Sequence, residues 1–448
     1  MRYHSLMEEE SSTTLDETSE TEPAQEAPAD TRPTVIVMHA SVGSGHRSAA
    51  LAIAEAFEIL RDSDNPELAH GIEIPEDLEV DVVDILDLGR IVFDGDKTAT
   101  MFTGATRPIY DLTWRYSLTG HLLWGGGTIW SRLMYPKFTE YVKKKKPIAV
   151  VCTHITAANV AVGARMLSGI DYPILSVPTD YEIEGLWPHR SSDLFCVANE
   201  AMAETLRPRK VSEKDILITG IPTRNDFRKH YDKEATREEL GLPKDKMVVL
   251  TLAGAYLSQP YVLFRQILDE ALPYLHLFRE MHFVFIAGND GVYAEHLRKE
   301  CAERGIENIT VFNYVDQVAA LMAASDLVIC KSGGLTVTEC LCARVPMILL
   351  GKTYGQEKSN RRMLTAMGAA LHVTTARELL ATLSHITRHP HSVDAMAISG
   401  EMLRRPDAAL DVARAAFIEA EKPSSEHLKQ RKKHFIWFYW GRKPTHTR

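Results

Sequence analysis

Residues 326–360, DLVICKSGGLTVTECLCARVPMILLGKTYGQEKSN, carry the pattern that decides the fold. Leu327 to Cys330 is a short apolar run, as expected of a strand buried on both faces. It breaks at Ser332-Gly333-Gly334, and Leu335 to Cys342 continues as a helix. A second strand, Pro346 to Leu350, ends in a polar loop with Gln356, Glu357 and Asn360. At a strand end that feeds a glycine turn and a helix N-terminus, unpaired N–H groups and the helix dipole converge. Open α/β sheets hold anionic ligands at such places.

The same alternation extends in both directions. Strands at Met247–Leu252, His282–Ala287 and Ile309–Asn313 alternate with helices at Tyr261–Leu275, Tyr293–Arg304 and Val318–Ala324. Nearer the N-terminus, Val35–Met38 reads as a strand, Val42–Gly45 as a glycine turn and His46–Leu60 as an amphipathic helix. Further strands follow at Leu78–Leu86, Ile148–Cys152, Pro173–Val177 and Asp193–Val197, with a helix near Ala157–Leu167. Two successive β-α arrays predict an α/β protein of two Rossmann-like parallel-sheet lobes facing a cleft. A chain of 448 residues has the length for two cores. The expected division is an acidic, disordered segment 1–31, a first domain 32–227, a charged linker 228–246, a second domain 247–421 and a tail 422–448. The last helices, near Ala376–Arg388 and Asp407–Ala420, are expected to pack across the back.

Composition narrows the function. The net charge of −9 argues against general nucleic-acid binding, so nucleic acid is not an expected partner. Six cysteines with no CxxC pair indicate buried, reduced thiols rather than a zinc site or a disulfide framework. The N-terminus lacks an apolar signal segment, and no run approaches the ~20 apolar residues of a membrane span. A cytoplasmic protein is the expectation.

Several polar groups fall at predicted strand ends. In the first glycine turn Gly45 allows close approach of a ligand, and His46 stands at its mouth. His46 either faces the crevice or merely hydrogen-bonds the turn. A nucleotide P-loop is a poor fit, because Ala40 occupies the first glycine position and His46 that of the lysine. The loop PTDYEIEGLWPHR places Asp180, Glu182, Glu184 and Trp187 beyond another strand end. TGIPTRNDF brings Arg224 after a further strand, and LAGAYLSQP puts Gly254 after the first strand of the second lobe.

Two segments point to a membrane surface. Thr106–Tyr135 is rich in Trp and Tyr around Gly125-Gly126-Gly127, and reads either as core helices or as a face meeting lipid. In the tail, Phe435–Trp440 lies between Lys429, Arg431, Lys432, Lys433 and Arg442, Lys443. Such a segment is too short to span a bilayer. It suits the interface of an anionic membrane, where each basic residue contributes roughly 1 kcal/mol.

The ordered set GSGHRSA, TDY with its following Trp, TGIPTR, SDLVICKSGGLTVTE and GQEKSN resembles the monogalactosyldiacylglycerol synthase and processive diacylglycerol glycosyltransferase family. It is more distantly similar to the enzyme that adds N-acetylglucosamine to the peptidoglycan lipid precursor. The resemblance runs from about Thr34 to Arg405. It implies the glycosyltransferase B fold, a UDP-sugar donor and a diacylglycerol or related lipid acceptor; a helix N-terminus can stabilise the leaving UDP without a metal, so no separate cofactor or metal is expected. Carried onto this chain, it implies that Glu339 meets the ribose and Gly333, Gly334, Leu335 and Thr336 the diphosphate. Gln356, Glu357 and Asn360 would meet the sugar, the backbone near Val315 the uracil and Arg224 the diphosphate, with Gly254 the one glycine of the donor loop. His46, Gly45, Glu184 and Trp187 would line the acceptor side. Glu184 stands where the family commonly has a histidine before its tryptophan, so Asp180 and Glu184 are alternatives to His46 as the base. The expected reaction is inverting hexosyl transfer by a peripheral protein on the inner face of the membrane. A UDP-sugar epimerase and a catalytically idle lipid-binding scaffold are the rival classes.

Overall fold

Strands buried on both faces need helices on both sides, and the apolar runs build two such sheets. The computed structural model describes residues 32–41, 43–63, 68, 70–89, 134–183, 187–189, 191–209, 211–253, 259–353 and 355–423. The first sheet contains β1 (Thr34–His39), β2 (Glu79–Asp84), β3 (Ala149–Cys152), β4 (Ile174–Ser176), β5 (Leu194–Val197) and β6 (Ile216–Ile218), in the order β2-β1-β3-β4-β5-β6. The second contains β7 (Met247–Leu252), β8 (Met281–Ile286), β9 (Ile309–Phe312), β10 (Leu327–Cys330), β11 (Met347–Leu350) and β12 (Ala370–Val373), in the order β12-β11-β10-β7-β8-β9. Every described pairing is parallel.

Each sheet reverses its strand order once. Between β1 and β3, Val35 registers with Ala149; between β7 and β10, Val249 registers with Leu327. Side chains beyond the C-terminal ends of these strand pairs face the crevice that opens where crossovers diverge. The first reversal presents the turn before the helix Ser44–Asp62 beside Thr153 and His154. The second presents Ser332-Gly333 and the helix Gly334–Cys342.

One continuous apolar core joins the lobes, with Ile36, Val150 and Ile174 of the first sheet and Val248, Val328 and Val337 of the second in a single cluster. All six cysteines are buried and unbridged. Among the described residues, no helix is long and apolar enough to cross a membrane.

Two domain boundaries differ from the sequence expectation. The stretch 228–246 contains a helix, Lys233–Glu239, capped by the Asp232 carboxylate on the Ala235 N–H at 2.8 Å. Arg237 in that helix is buried, donating to the Ala324 carbonyl at 2.8 Å and to Asp326 at 2.6 Å. Its charge is therefore paired inside the second lobe rather than solvated in a tether. The final helix, Ala408–Glu421, crosses back to the first lobe. Leu410, Val412, Ala413 and Ala416 pack with Val35, Val37, Ile53 and Phe57 behind the first sheet.

Candidate active site

The first-lobe turn is bent at Gly43, whose φ of 146° lies in the region that side chains disfavour. Ser41 is tied to Asp84 at the end of β2, the Ser41 N–H reaching Asp84 Oδ1 at 3.3 Å. The helix then begins, and His46 falls in its first turn, half-buried. Thr153 holds this residue from the end of β3. Its hydroxyl donates to the His46 carbonyl at 2.9 Å, and its own carbonyl oxygen lies 3.0 Å from His46 Nδ1. Thr179 Oγ1 sits 2.8 Å from the same nitrogen.

Two further histidines surround His46. The His154 ring meets it edge-on with centroids 4.6 Å apart, while His154 Nδ1 accepts the Thr156 N–H at 3.1 Å and so caps the helix Ile155–Ser168. His39, at the end of β1, lies 3.9 Å from Asp84. Burial brings the His46 pKa down to about 4, partly countered by the Thr153 carbonyl. It lowers His154 well below the usual histidine range and lowers His39 as well. All three rings are therefore neutral near pH 7.

The second-lobe turn is built around Gly334. A methyl group at this position would lie 2.0 Å from the Thr179 carbonyl oxygen, so only glycine permits the approach of the two lobes. The Gly334 N–H donates to the Asp180 carboxylate of the opposite lobe. Asn360 Nδ2 donates to Asp180 Oδ1 at 2.8 Å and to the Ser332 carbonyl at 2.9 Å, and its Oδ1 accepts the Tyr181 N–H at 2.8 Å. Tyr181 Oη and Thr338 Oγ1 share a hydrogen bond of 2.9 Å. Burial pushes the Asp180 carboxyl up to about 7, against the lowering effect of the Asn360 and Gly334 donors.

The other donor-side candidates surround this turn. Glu339 is half-buried on the helix Gly334–Cys342; burial raises its carboxyl to about 7, and Arg224 pulls it back. Arg224 reaches across from the first lobe to donate to the Asp316 carbonyl at 3.1 Å, next to Val315. Gln356 and Glu357 open the helix Gln356–Ala366, and Lys331 pairs with Glu357 at 2.7 Å. Gly333 caps the helix that carries Thr336. Gly45 faces this helix across the cleft, its β-position 3.6 Å from the Leu335 Cβ.

Two candidates sit differently from expectation. Asn360 is 0% exposed, its amide committed to Asp180, Tyr181 and Ser332, so it joins the lobes instead of opening towards a sugar. Trp187 is 4% exposed and packs in the core with Tyr181 and Ile183. Gly254 and Glu184 lie outside the described residues, as do most of 106–135 and the tail from 424. Thr153, His154 and Thr179 are the polar neighbours that the sequence did not single out. The available signal was their position directly after β3 and β4.

Both lobes are similar to known proteins. The family model for monogalactosyldiacylglycerol (MGDG) synthase matches residues 101–223, and that of the glycosyltransferase family 28 C-terminal domain matches 249–409. A processive diacylglycerol beta-glucosyltransferase of Bacillus pumilus is 27% identical over 52% of this chain, a match that spans 59% of that protein's length. One from Bacillus cytotoxicus is 22% identical over 88% of this chain and 96% of its own. Among solved structures, Acinetobacter baumannii MurG aligns over 85% of this chain and 98% of its own, with a TM-score of 0.53 at 17% identity. A UDP-GlcNAc 2-epimerase of Neisseria meningitidis bound to UDP-GlcNAc gives 0.53 at 14% identity, over 85% and 99%. The architecture is the glycosyltransferase B fold, and the chain resembles the MGDG synthase and processive diacylglycerol glycosyltransferase family.

Proposed function

We propose that this chain transfers a hexosyl group from a UDP-sugar to diacylglycerol or a related lipid, with inversion and without a metal. The observation that carries the proposal is the meeting of two unlike turns, a histidine turn and an anion-ready helix N-terminus, at contact distance across the cleft. A hydrolase or a simple nucleotide binder has no need of both.

In this reading the donor diphosphate lies against Gly333, Gly334 and Thr336. There the helix N-terminus offsets the charge that develops on UDP, a contribution of up to ~2 kcal/mol. Arg224 adds a second positive group, Glu339 binds the ribose, the backbone near Val315 binds the uracil, and Gln356 and Glu357 orient the sugar. The acceptor hydroxyl approaches His46. Its oxygen attacks the anomeric carbon, the bond from that carbon to the UDP oxygen breaks with its electron pair leaving on UDP, and the hydroxyl proton passes to His46. Asp180 would be the alternative base. It occupies the Gly334 N–H in the closed arrangement, so a diphosphate binding there takes the place of the carboxylate.

The acceptor class rests on the resemblance and on the basic aromatic tail, which would hold the protein at the inner face of an anionic membrane. A panel of UDP-sugars offered with diacylglycerol vesicles, read by product mass, tests the proposal. One glycolipid should form from one preferred donor. Absence of transfer from every common UDP-sugar removes the reading.

The epimerase alternative is favoured by one observation, the equal structural likeness to a UDP-GlcNAc 2-epimerase. Proton NMR of UDP-GlcNAc incubated without lipid separates the two, because only an epimerase changes the sugar in the absence of acceptor.

A further inference from the structure

We propose that Thr179 is a positioning residue for His46: together with the Thr153 carbonyl, it holds the imidazole with its proton on Nδ1, leaving Nε2 as the atom that takes the acceptor's proton. The inference rests on the transferase reading above and specifies the atom at which its proton transfer occurs. The Thr153 carbonyl oxygen is 3.0 Å from His46 Nδ1 and can only accept. Nδ1 therefore carries the hydrogen, and the Thr179 hydroxyl at 2.8 Å is a second acceptor of the same N–H. A neutral imidazole with a proton on Nδ1 has its lone pair on Nε2.

Thr153 also grips the backbone, since its hydroxyl donates to the His46 carbonyl at 2.9 Å. His46 is thus held once at its ring and once at its backbone by a residue 107 positions away, and a second time at the ring by Thr179. Thr179 is in turn set by the other lobe. Its carbonyl abuts Gly334, and the adjacent Asp180 accepts the Gly334 N–H. Alignment of His46 and apposition of the donor turn are therefore features of one loop, 179–181.

The charged and titratable groups around His46 are His39 on β1 and His154 before the helix Ile155–Ser168, with Asp84 of β2 and Arg47 of the first helix acting on His39 and Asp180 beyond Thr179. Both hydrogen-bond acceptors at Nδ1 favour the imidazolium that forms during the reaction. Removing one makes the base weaker, which moves the acid limb of activity to lower pH while the plateau falls.

The test uses the full chain with histidine labelled in both ring nitrogens. Long-range proton–nitrogen NMR, assigned with His46→Gln, is expected to show Nδ1 protonated and Nε2 bare at neutral pH. Thr179→Val should lower kcat about ten-fold with little change in donor KM, and should shift the acid limb of kcat/KM to lower pH. Thr179→Ser, which keeps the hydroxyl, should restore both. A proton on Nε2 in the unsubstituted chain overturns the proposal, as does a Thr179→Val variant with unaltered kcat and pH profile. If no donor supports transfer, the function proposed above fails, while the NMR tautomer still decides the ring's orientation. Thermal melting of both Thr179 variants identifies any loss that comes from misfolding.

Discussion

Asp180 and Glu339 are carboxyl groups that burial holds near pKa 7, on opposite sides of one cleft. An Asp180 carboxyl raised to about 7 from its ordinary 3.8 keeps a proton in the folded state that the unfolded chain releases. Its contribution to stability is therefore full below about pH 4 and is lost as pH rises through about 7. The thermal midpoint should fall across this window, and Asp180→Asn, which retains an acceptor for Gly334 and Asn360, should flatten part of that slope. An unchanged slope in the variant would refute the assignment. Glu339 has a separate expected role. Glu339→Ala should weaken UDP binding roughly ten-fold or more, the scale of one lost hydrogen bond to a charged group. Calorimetric titration with UDP measures it, and unaltered affinity would remove the ribose contact.

At the scale of elements, the helix Gly334–Cys342 serves two lobes at once. Its first residue must be glycine because the neighbour is a backbone carbonyl, which cannot rotate aside as a flexible side chain would. Gly334→Ala should leave helix content by circular dichroism intact, since alanine is the better helix former. It should nonetheless hold the lobes apart, with a larger radius of gyration in solution scattering. Because misplacement by about 1 Å can cost 10²-fold, kcat/KM should drop by a similar factor. Farther along the same helix, Thr338 shares a hydrogen bond with Tyr181 of the first lobe, and Tyr181→Phe, which removes it, should cost about 1 kcal/mol of stability.

On the scale of the whole molecule, the chain closes on itself. Leu410, Val412 and Phe417 of the last helix are buried, and Leu410 and Val412 lie in the first lobe's rear core. Each such side chain contributes roughly 1.5–3 kcal/mol when buried, so ending the chain at residue 407 should cost the first lobe about 5 kcal/mol. Scanning calorimetry should then resolve an early transition of that lobe, where the complete chain melts cooperatively. Truncation at residue 423 is a different experiment. It removes only the basic aromatic tail, and should preserve UDP affinity while reducing sedimentation with anionic vesicles. Equal sedimentation of both forms would place the membrane contact elsewhere.

Sequence alone determined the two α/β lobes and the turns at which a site could form. The reason is local: parallel strands buried on both faces must be continuously apolar, and turns that approach a ligand or another backbone closely need glycine. Val35–Met38, Leu327–Cys330 and the Gly333-Gly334 pair were legible for that reason. Which turns meet was not legible, because it follows from strand order. β3 lies beside β1, so Thr153 reaches His46 across 107 positions and Thr179 reaches it across 133. The same holds for the assignment of Ala408–Glu421 to the first lobe, whose apolar stripe fits the back of either sheet. Trp187 and Asn360 look alike in sequence to residues that face a ligand. The packing of one lobe on the other buries Asn360, and the apolar cluster it joins buries Trp187, since polar and aromatic groups at strand ends line a cleft or seal it according to what stands opposite.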